Sequence, residues 1–302
     1  MYTVMAFTSR GYSPETDLHK VQGFLFEVHK ETGTFQNWLP TRFENSHLGR
    51  VEDTRVWEEE GAPGRVMAVA IRETKIIYFI HIRPDHPALL DEVIRWIEAH
   101  SASKKPDPAE ELKLHIISLE GDPEREDALR KRGFERGPVY GILRVRDLDA
   151  PIPDAPLPEG FEIRPVRGRE DFEKLASNIR TVFGHGEWFT AETLEGIARG
   201  CFYIRDLDLV AEAPDGAIAS FCTFRVDPVS RATELEPMGT HPDYRCLGLA
   251  KTLISEGIKR LKEYAPLNLY IDGAADNPAA NRLYEATGFE KEGTYYYWSK
   301  TI

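Results

Sequence analysis

Apolar side chains at Ala250, Leu253, Ile254, Gly257, Ile258 and Leu261 recur every three or four positions. That spacing places them on one face of a helix, with polar residues on the other. Shorter apolar and β-branched runs predict strands at 161–166, 208–213, 217–227, 232–240 and 267–271. Helices are expected at 170–183 and 190–199, and Asn277-Pro278 opens a further short one. The aromatic stretch 294–298 closes the chain as a strand. Earlier in the chain, 76–82 and 114–119 predict strands, with an amphipathic helix between them at 89–100.

These elements fall into two halves that echo each other. The stretch 147–160, DLDAPIPDAPLPEG, holds four prolines and several acids and predicts an extended, unpaired connector. We therefore expect one domain over 1–147, a linker over 148–160 and a second domain over 161–302. Ile82-Arg83-Pro84-Asp85-His86-Pro87 aligns with Thr240-His241-Pro242-Asp243-Tyr244-Arg245, and an amphipathic helix follows each. Asp122-Pro123 then matches Asn277-Pro278, and Gly133-Phe134 matches Gly288-Phe289, ten residues after the proline in both halves. Several matches in one order indicate an internal duplication.

The stretch 240–250, THPDYRCLGLA, carries the clearest chemistry. It reads as a strand end, a proline turn and a tight loop opening into the periodic helix. Free amide groups and the positive dipole end at a helix start suit a phosphate. Arg245 adds a fixed charge, and Gly248 allows close approach to the backbone. The first half has Pro87 and Leu90 at the positions of Arg245 and Gly248, and Leu129 at that of Tyr284. It is expected to keep the fold without the phosphate site.

Bulk properties narrow the field. The chain has 302 residues, a net charge of −12, 41% hydrophobic and 29% charged residues. Its acidity argues against nucleic acid or an anionic membrane surface as a partner. The three cysteines, Cys201, Cys222 and Cys246, form no C-x-x-C pair, and the histidines show no ligand spacing. No metal and no disulfide framework are expected, and a reducing cytoplasmic setting fits. No signal peptide is read at the N-terminus, and no run is long enough to span a membrane.

Two motifs together resemble the GNAT superfamily of N-acetyltransferases. Arg245-x-x-Gly248-x-Ala250 resembles its acyl-CoA loop, and Asn277-x-x-Ala280-x-x-Leu283-Tyr284-x-x-x-Gly288-Phe289 its second signature. The resemblance is firm over about 161–302 and a degenerate echo over about 1–147. It implies an α/β (α+β) tandem of two GNAT-like domains, an arrangement also seen in mycothiol-synthase-like enzymes. Each would be a mixed twisted sheet flanked by helices, with two central strands splayed around the pantetheine arm of acetyl-CoA. Met238, Gly239 and Thr240 would then pair with that arm, Pro237 and Gly239 marking a bulge or break. The amides of Cys246, Leu247, Gly248, Leu249 and Ala250 would bind the pyrophosphate, with Arg245 in support. Asn277 would help fix the cofactor.

The implied reaction is direct acetyl transfer from acetyl-CoA to a primary amine of a small molecule. Glu234 is the first candidate for the base or a substrate ligand, and Glu236, two residues on, shares its strand face. Tyr284 is the candidate acid for the departing thiolate, and a backbone N–H near Met238 would meet the oxyanion. Cys246 would sit at the phosphate end, which argues against a covalent role, and His241 is read as an exposed turn residue. The acceptor could be walled by His185-Gly186-Glu187-Trp188-Phe189 and by Tyr295 to Trp298. Asn37-Trp38-Leu39-Pro40 could line a cleft or simply pack. Competing classes are a non-catalytic acyl-CoA sensor and a peptide or protein N-acetyltransferase. A monomer or homodimer fits either, with the first half able to replace a second subunit.

Overall fold

The computed structural model describes residues 6–32, 51–74, 76–273 and 276–302. Asn37 to Pro40 therefore lie outside the described residues. In chain order the elements are β1 (Phe7–Gly11), α1 (Pro14–Thr32), β2 (Arg55–Glu59), β3 (Val66–Arg72), β4 (Ile77–Ile82), α2 (Leu89–Ser103), β5 (Lys113–Leu119), α3 (Pro123–Lys131) and β6 (Glu135–Arg146). There follow β7 (Glu162–Pro165), α4 (Arg169–Phe183), α5 (Ala191–Ile197), β8 (Asp208–Glu212), β9 (Ile218–Val226), β10 (Ala232–Thr240), α6 (Leu249–Leu261), β11 (Asn268–Ile271), α7 (Pro278–Ala286) and β12 (Phe289–Thr301). No helix among the described residues is long and apolar enough to cross a membrane.

The chain divides into two compact units. One comprises residues up to Ile142 together with Gly293–Ile302, and the other runs from Leu143 to Glu292. In the first, β1 to β4 form an antiparallel meander, β4 and β5 run parallel, and β12 pairs antiparallel with β5. The second repeats this plan: β7 to β10 form the meander, β10 and β11 run parallel, and β6 pairs antiparallel with β11. Each unit is a mixed sheet with helices packed on it.

The division differs from the expected 1–147 and 161–302 in two places. Tyr295–Thr301 pair with Leu119–Lys113, and Trp298 is buried in the first unit's core, so the chain's last strand completes that unit. Conversely, Arg144–Arg146 pair with Ile271–Leu269 and complete the second. The aromatic stretch 295–298 belongs to the first unit, where Trp298 is buried in the core and Tyr296 packs against it.

The connector is extended but not free. Arg146, fully buried, donates through Nε to the Thr287 carbonyl at 2.9 Å and through its terminal nitrogens to the carbonyls of Asp147, Ala150 and Pro151. On α6, Ser255 Oγ donates to Pro153 O at 3.0 Å and Thr252 Oγ1 to Pro156 O at 3.4 Å. These bonds satisfy carbonyls that a proline-rich strap cannot pair in a sheet.

The core of the second unit follows the periodicity of α6. Leu249, Leu253, Ile254, Ile258 and Leu261 are buried against Leu209, Cys222, Phe224 and Leu235 of the sheet. Gly257 permits the contact, because a Cβ there would stand 2.0 Å from the Phe224 ring.

Candidate active site

The site begins where two parallel strands part. β10 and β11 are in register for Ala232↔Asn268, Thr233↔Leu269 and Glu234↔Tyr270 only. Beyond that point β10 stays with β9, through Met238↔Cys222, Gly239↔Phe221 and Thr240↔Ser220. The β9–β10 register shifts between Leu235 and Met238, where Glu236 and Pro237 stand opposite Thr223 alone. This is a β-bulge, and the Glu236–Pro237 peptide within it is cis. A proline cannot donate to a ladder, so the bulge falls where pairing is already broken. Gly239 is required here, since a Cβ would lie 2.4 Å from the Phe221 ring. Ser220 Oγ pins the strand end, donating to Gly239 O at 2.8 Å and lying 2.8 Å from Thr240 Oγ1.

The chain then turns through a short 3-10 helix, Pro242–Tyr244, braced by the Asp243 N–H donating to His241 Nδ1 at 3.3 Å. Arg245 is exposed and its Nε donates to Thr240 O at 3.3 Å. Cys246, at φ 64°, and Gly248, at φ 82°, are both left-handed, and together they fold the loop back into α6. Gly248 is the N-cap of that helix, so no side chain caps it, and the first turn carries no acid. The first helical bond runs from Thr252 N–H to Gly248 O at 3.1 Å. The amides of Leu249, Ala250 and Lys251 therefore precede the ladder. Arg245, Cys246, Leu247 and Gly248 are exposed, Ala250 is half-buried, and only Leu249 is anchored in the core. An uncapped, acid-free helix start beside an exposed guanidinium has the geometry and charge that suit an anion.

α7 supplies the third part. Asn277 caps it, its Oδ1 accepting from the amides of Ala279 and Ala280 at 3.1 Å each, and Pro278 takes the first helical position. The Asn277 carbonyl oxygen is thus committed to the helix. Tyr284, one turn from the end, is buried, with its ring edge-on to Phe289 at 5.9 Å. Burial first, and the negative charge of Glu236 second, push its hydroxyl well above the usual tyrosine range, while Arg144 opposes the shift. The Arg144 guanidinium lies 5.8 Å from the Tyr284 ring centre and donates to Asn281 Oδ1 at 2.5 Å. Arg144 stands on β6, ahead of the connector, and no motif in the sequence pointed to it.

The two carboxylates are not equivalent. Glu234 is fully buried, directly opposite Arg225 on β9 and Tyr270 on β11. Glu236 is half-buried in the bulge and electrostatically coupled to Tyr284. Among the described residues no cluster of His, Cys, Asp and Glu could hold a metal ion.

The first unit carries the matching elements in altered form. β4 and β5 are in parallel register only for Ile77↔His115, Tyr78↔Ile116 and Phe79↔Ile117, and then part. α3, like α7, has nine residues, an Asx cap (Asp122, accepting from Arg125 N–H at 3.0 Å) and a proline at its first position. Gly133 and Gly288, which follow the two helices, take φ 81° and 83°. A cleft of about 430 Å³ lies at this parting, between residues from Ile82 to Leu90 and from Ser118 to Arg125. At its wall, the buried Arg125 donates through Nη1 to Ile80 O at 2.8 Å and through Nε to Asp122 Oδ2 at 3.1 Å. Counting from the shared prolines, Arg125 corresponds to Ala280.

The profile of the Acetyltransferase (GNAT) family matches residues 174–289, a span inside the second unit that contains both the α6 loop and α7. A mycothiol acetyltransferase of Acidothermus cellulolyticus is 32% identical over 192 residues, covering 57% of this chain and 57% of that protein. One from Salinispora arenicola is 35% identical over 169 residues, covering 53% and 54%. The chain spans little more than half the length of these curated relatives. Among solved structures, a GCN5-related N-acetyltransferase from Sphaerobacter thermophilus has a TM-score of 0.71 at 16% identity, over 98% of this chain and 95% of that one. A tandem GNAT protein from the clavulanic acid biosynthesis pathway has a TM-score of 0.66 at 14% identity, over 98% of each chain. Those likenesses carry the fold over the whole length, and the profile match assigns residues 174–289, within the second unit, to the acetyltransferase (GNAT) family.

Proposed function

We propose that the second unit catalyses direct transfer of an acetyl group from acetyl-CoA to a primary amine of a small molecule. The observation that carries this reading is the parting of β10 from β11 directly before an uncapped helix start. It leaves a slot for an extended amide chain, with an anion site at its end. Met238, Gly239 and Thr240 would line the slot, the amides from Cys246 to Ala250 would hold the pyrophosphate, and Arg245 would neutralise it. Asn277 would act through the position of α7, which its cap sets. The acetyltransferase names of the relatives agree with this chemistry.

Attack by the amine nitrogen on the thioester carbon forms the new C–N bond and breaks the C–S bond. The amine proton passes to a carboxylate, and the thiolate takes a proton from a phenol. Glu236 is favoured over Glu234 as the base, directly or through a water, because it is half-exposed in the bulge and senses Tyr284. Glu234, sealed in the sheet, is better suited to holding the strands than to meeting an acceptor. Tyr284, held neutral by burial, keeps its proton through the physiological range and can act as the acid. A backbone N–H near Met238 would stabilise the oxyanion.

A thiol-release assay with acetyl-CoA against amines, amino acids and aminoglycosides tests the reading. Amine-dependent release of coenzyme A is expected; no release with any member of the panel would refute catalysis.

A further inference from the structure

Tyr284 gives up a proton with difficulty where it stands. Burial and the Glu236 carboxylate both oppose the anion that it becomes. The departing thiolate is a weaker base than that anion, so the transfer runs uphill unless the anion is stabilised. A positive charge at the ring does this, and β6 brings one in.

Arg144 is 5% exposed, and its guanidinium lies over the Tyr284 ring, 5.8 Å from the ring centre. A phenolate spreads negative charge into its ring, so a cation over the face favours the anion more than the neutral phenol. The guanidinium is fixed from two sides. Its strand is held on β11 through Arg144↔Ile271. Its Nη2 donates to Asn281 Oδ1 at 2.5 Å, and Asn281 lies three residues before Tyr284, on the same face of α7. One side chain thus grips α7 at Asn281 and covers the ring of Tyr284. The other charges near Arg144 are Glu285, on the same helix, and Asp272, just after β11, and both favour its charged form. Burial weakens the guanidinium as a base, but it keeps its charge throughout the working pH range.

We propose that Arg144 is a positioning residue for the acid step: it holds the Tyr284 ring and supplies the positive charge that stabilises the tyrosinate. This rests on the acetyl-transfer reading above, with Tyr284 as the acid. In that step the Tyr284 O–H bond breaks and the proton forms an S–H bond on the departing coenzyme A sulfur. The tyrosinate is left facing the guanidinium and recovers a proton from water. Arg144 precedes the connector, so the step depends on a side chain outside residues 174–289, the span that matches the family profile.

The test separates charge from packing. Arg144→Met removes the charge and keeps an unbranched side chain, whereas Arg144→Lys keeps the charge and loses the planar fork. In the thiol-release assay Arg144→Met should lower kcat about tenfold, with the KM for acetyl-CoA within about twofold, and Arg144→Lys should recover most of the loss. In a Tyr284→Phe background Arg144→Met should lower kcat no further. An equal loss in both backgrounds would make Arg144 merely structural and overturn the inference. Arg144→Gln takes its place if the methionine variant does not fold. A second readout needs no turnover. With a trifluorotyrosine at position 284, whose phenol ionises at lower pH, fluorine NMR follows the ionisation directly. Arg144→Met should raise that midpoint by about one pH unit, and Arg144→Lys by much less. An unmoved midpoint overturns the inference whether or not the protein turns over. A raised midpoint in a protein that releases no thiol supports the charge effect and places the failure in the acetyl-transfer reading.

Discussion

The two units start from one plan and differ at the parting of their parallel strands. In the second, β10 leaves β11 after three residue pairs and runs into a bare glycine loop. In the first, β4 leaves β5 after three pairs, but a guanidinium occupies the parting. Arg125 bonds the carbonyl of Ile80, which corresponds to Met238, the position proposed to pair with the acetyl-CoA arm. The second unit has Ala280 where the first has Arg125, Gly248 where it has Leu90, and Gly239 where it has His81. On the proposed reading, ligand competence would turn on leaving backbone groups open, and the first unit would lack it because its own Arg125 satisfies one of them.

Moving the first unit's residues into the second should give the largest effects. Ala280→Arg should weaken acetyl-CoA binding by about a hundredfold with the circular dichroism unchanged, because the new side chain would fill the slot as Arg125 does. Unaltered affinity by calorimetry would break the equivalence of the two positions. Gly248→Leu should have an effect of similar size, since a branched side chain at φ 82° is strained and stands over the anion site. Next, Tyr284→Phe should lower kcat by about a hundredfold and leave acetyl-CoA affinity within about twofold. Turnover equal to the unsubstituted protein would remove its role as acid.

Smaller effects belong to the first unit. Arg125→Ala removes a buried guanidinium and its Nη1 hydrogen bond to the Ile80 carbonyl, so it should destabilise that unit by about 2 kcal/mol in thermal or denaturant unfolding. It should not create a second acetyl-CoA site, because Pro87 and Leu90 remain. His81 is buried, its Nε2 has no hydrogen-bond partner, and burial with the nearby Arg125 charge holds its pKa down at about 3. The unfolded chain, titrating near pH 6.5, then binds the proton that the folded unit refuses. Its contribution to stability is full above pH 6.5 and declines as the pH falls towards 3, by about 1 kcal/mol over the first unit below 6.5. His81→Gln should flatten that slope in urea titrations at pH 6.5 and 5.5; an unchanged slope would assign the dependence to other groups.

Much of this contrast was legible in the sequence. The 3.6-residue repeat from Ala250 to Leu261 and the paired Pro-to-Gly-Phe spacings depend on local geometry, which composition records directly. The loop's shape could be read because Gly248, at φ 82°, and Arg245, bonded to the Thr240 carbonyl, set the backbone beside them. Arg144 and Arg125 were hidden for the opposite reason. Arg144 reaches the Tyr284 ring only because β6 adds to β11, where Arg144 pairs with Ile271, 271 − 144 = 127 positions along the chain. Arg125 sits on a helix with charged neighbours, and nothing in its spacing shows that it turns inward. Strand alternation puts Glu234 and Glu236 on one face, with Glu234 the first candidate for the base. The bulge at Glu236-Pro237 separates their environments, burying one and leaving the other half-open.

The central claim is that acetyl-CoA binds the second unit alone, through the loop from Arg245 to Ala250. Calorimetric titration of the whole protein with acetyl-CoA tests it most directly. One site per chain is expected, with binding abolished by Arg245→Glu. Two sites, or a single site that survives Arg245→Glu, would contradict it.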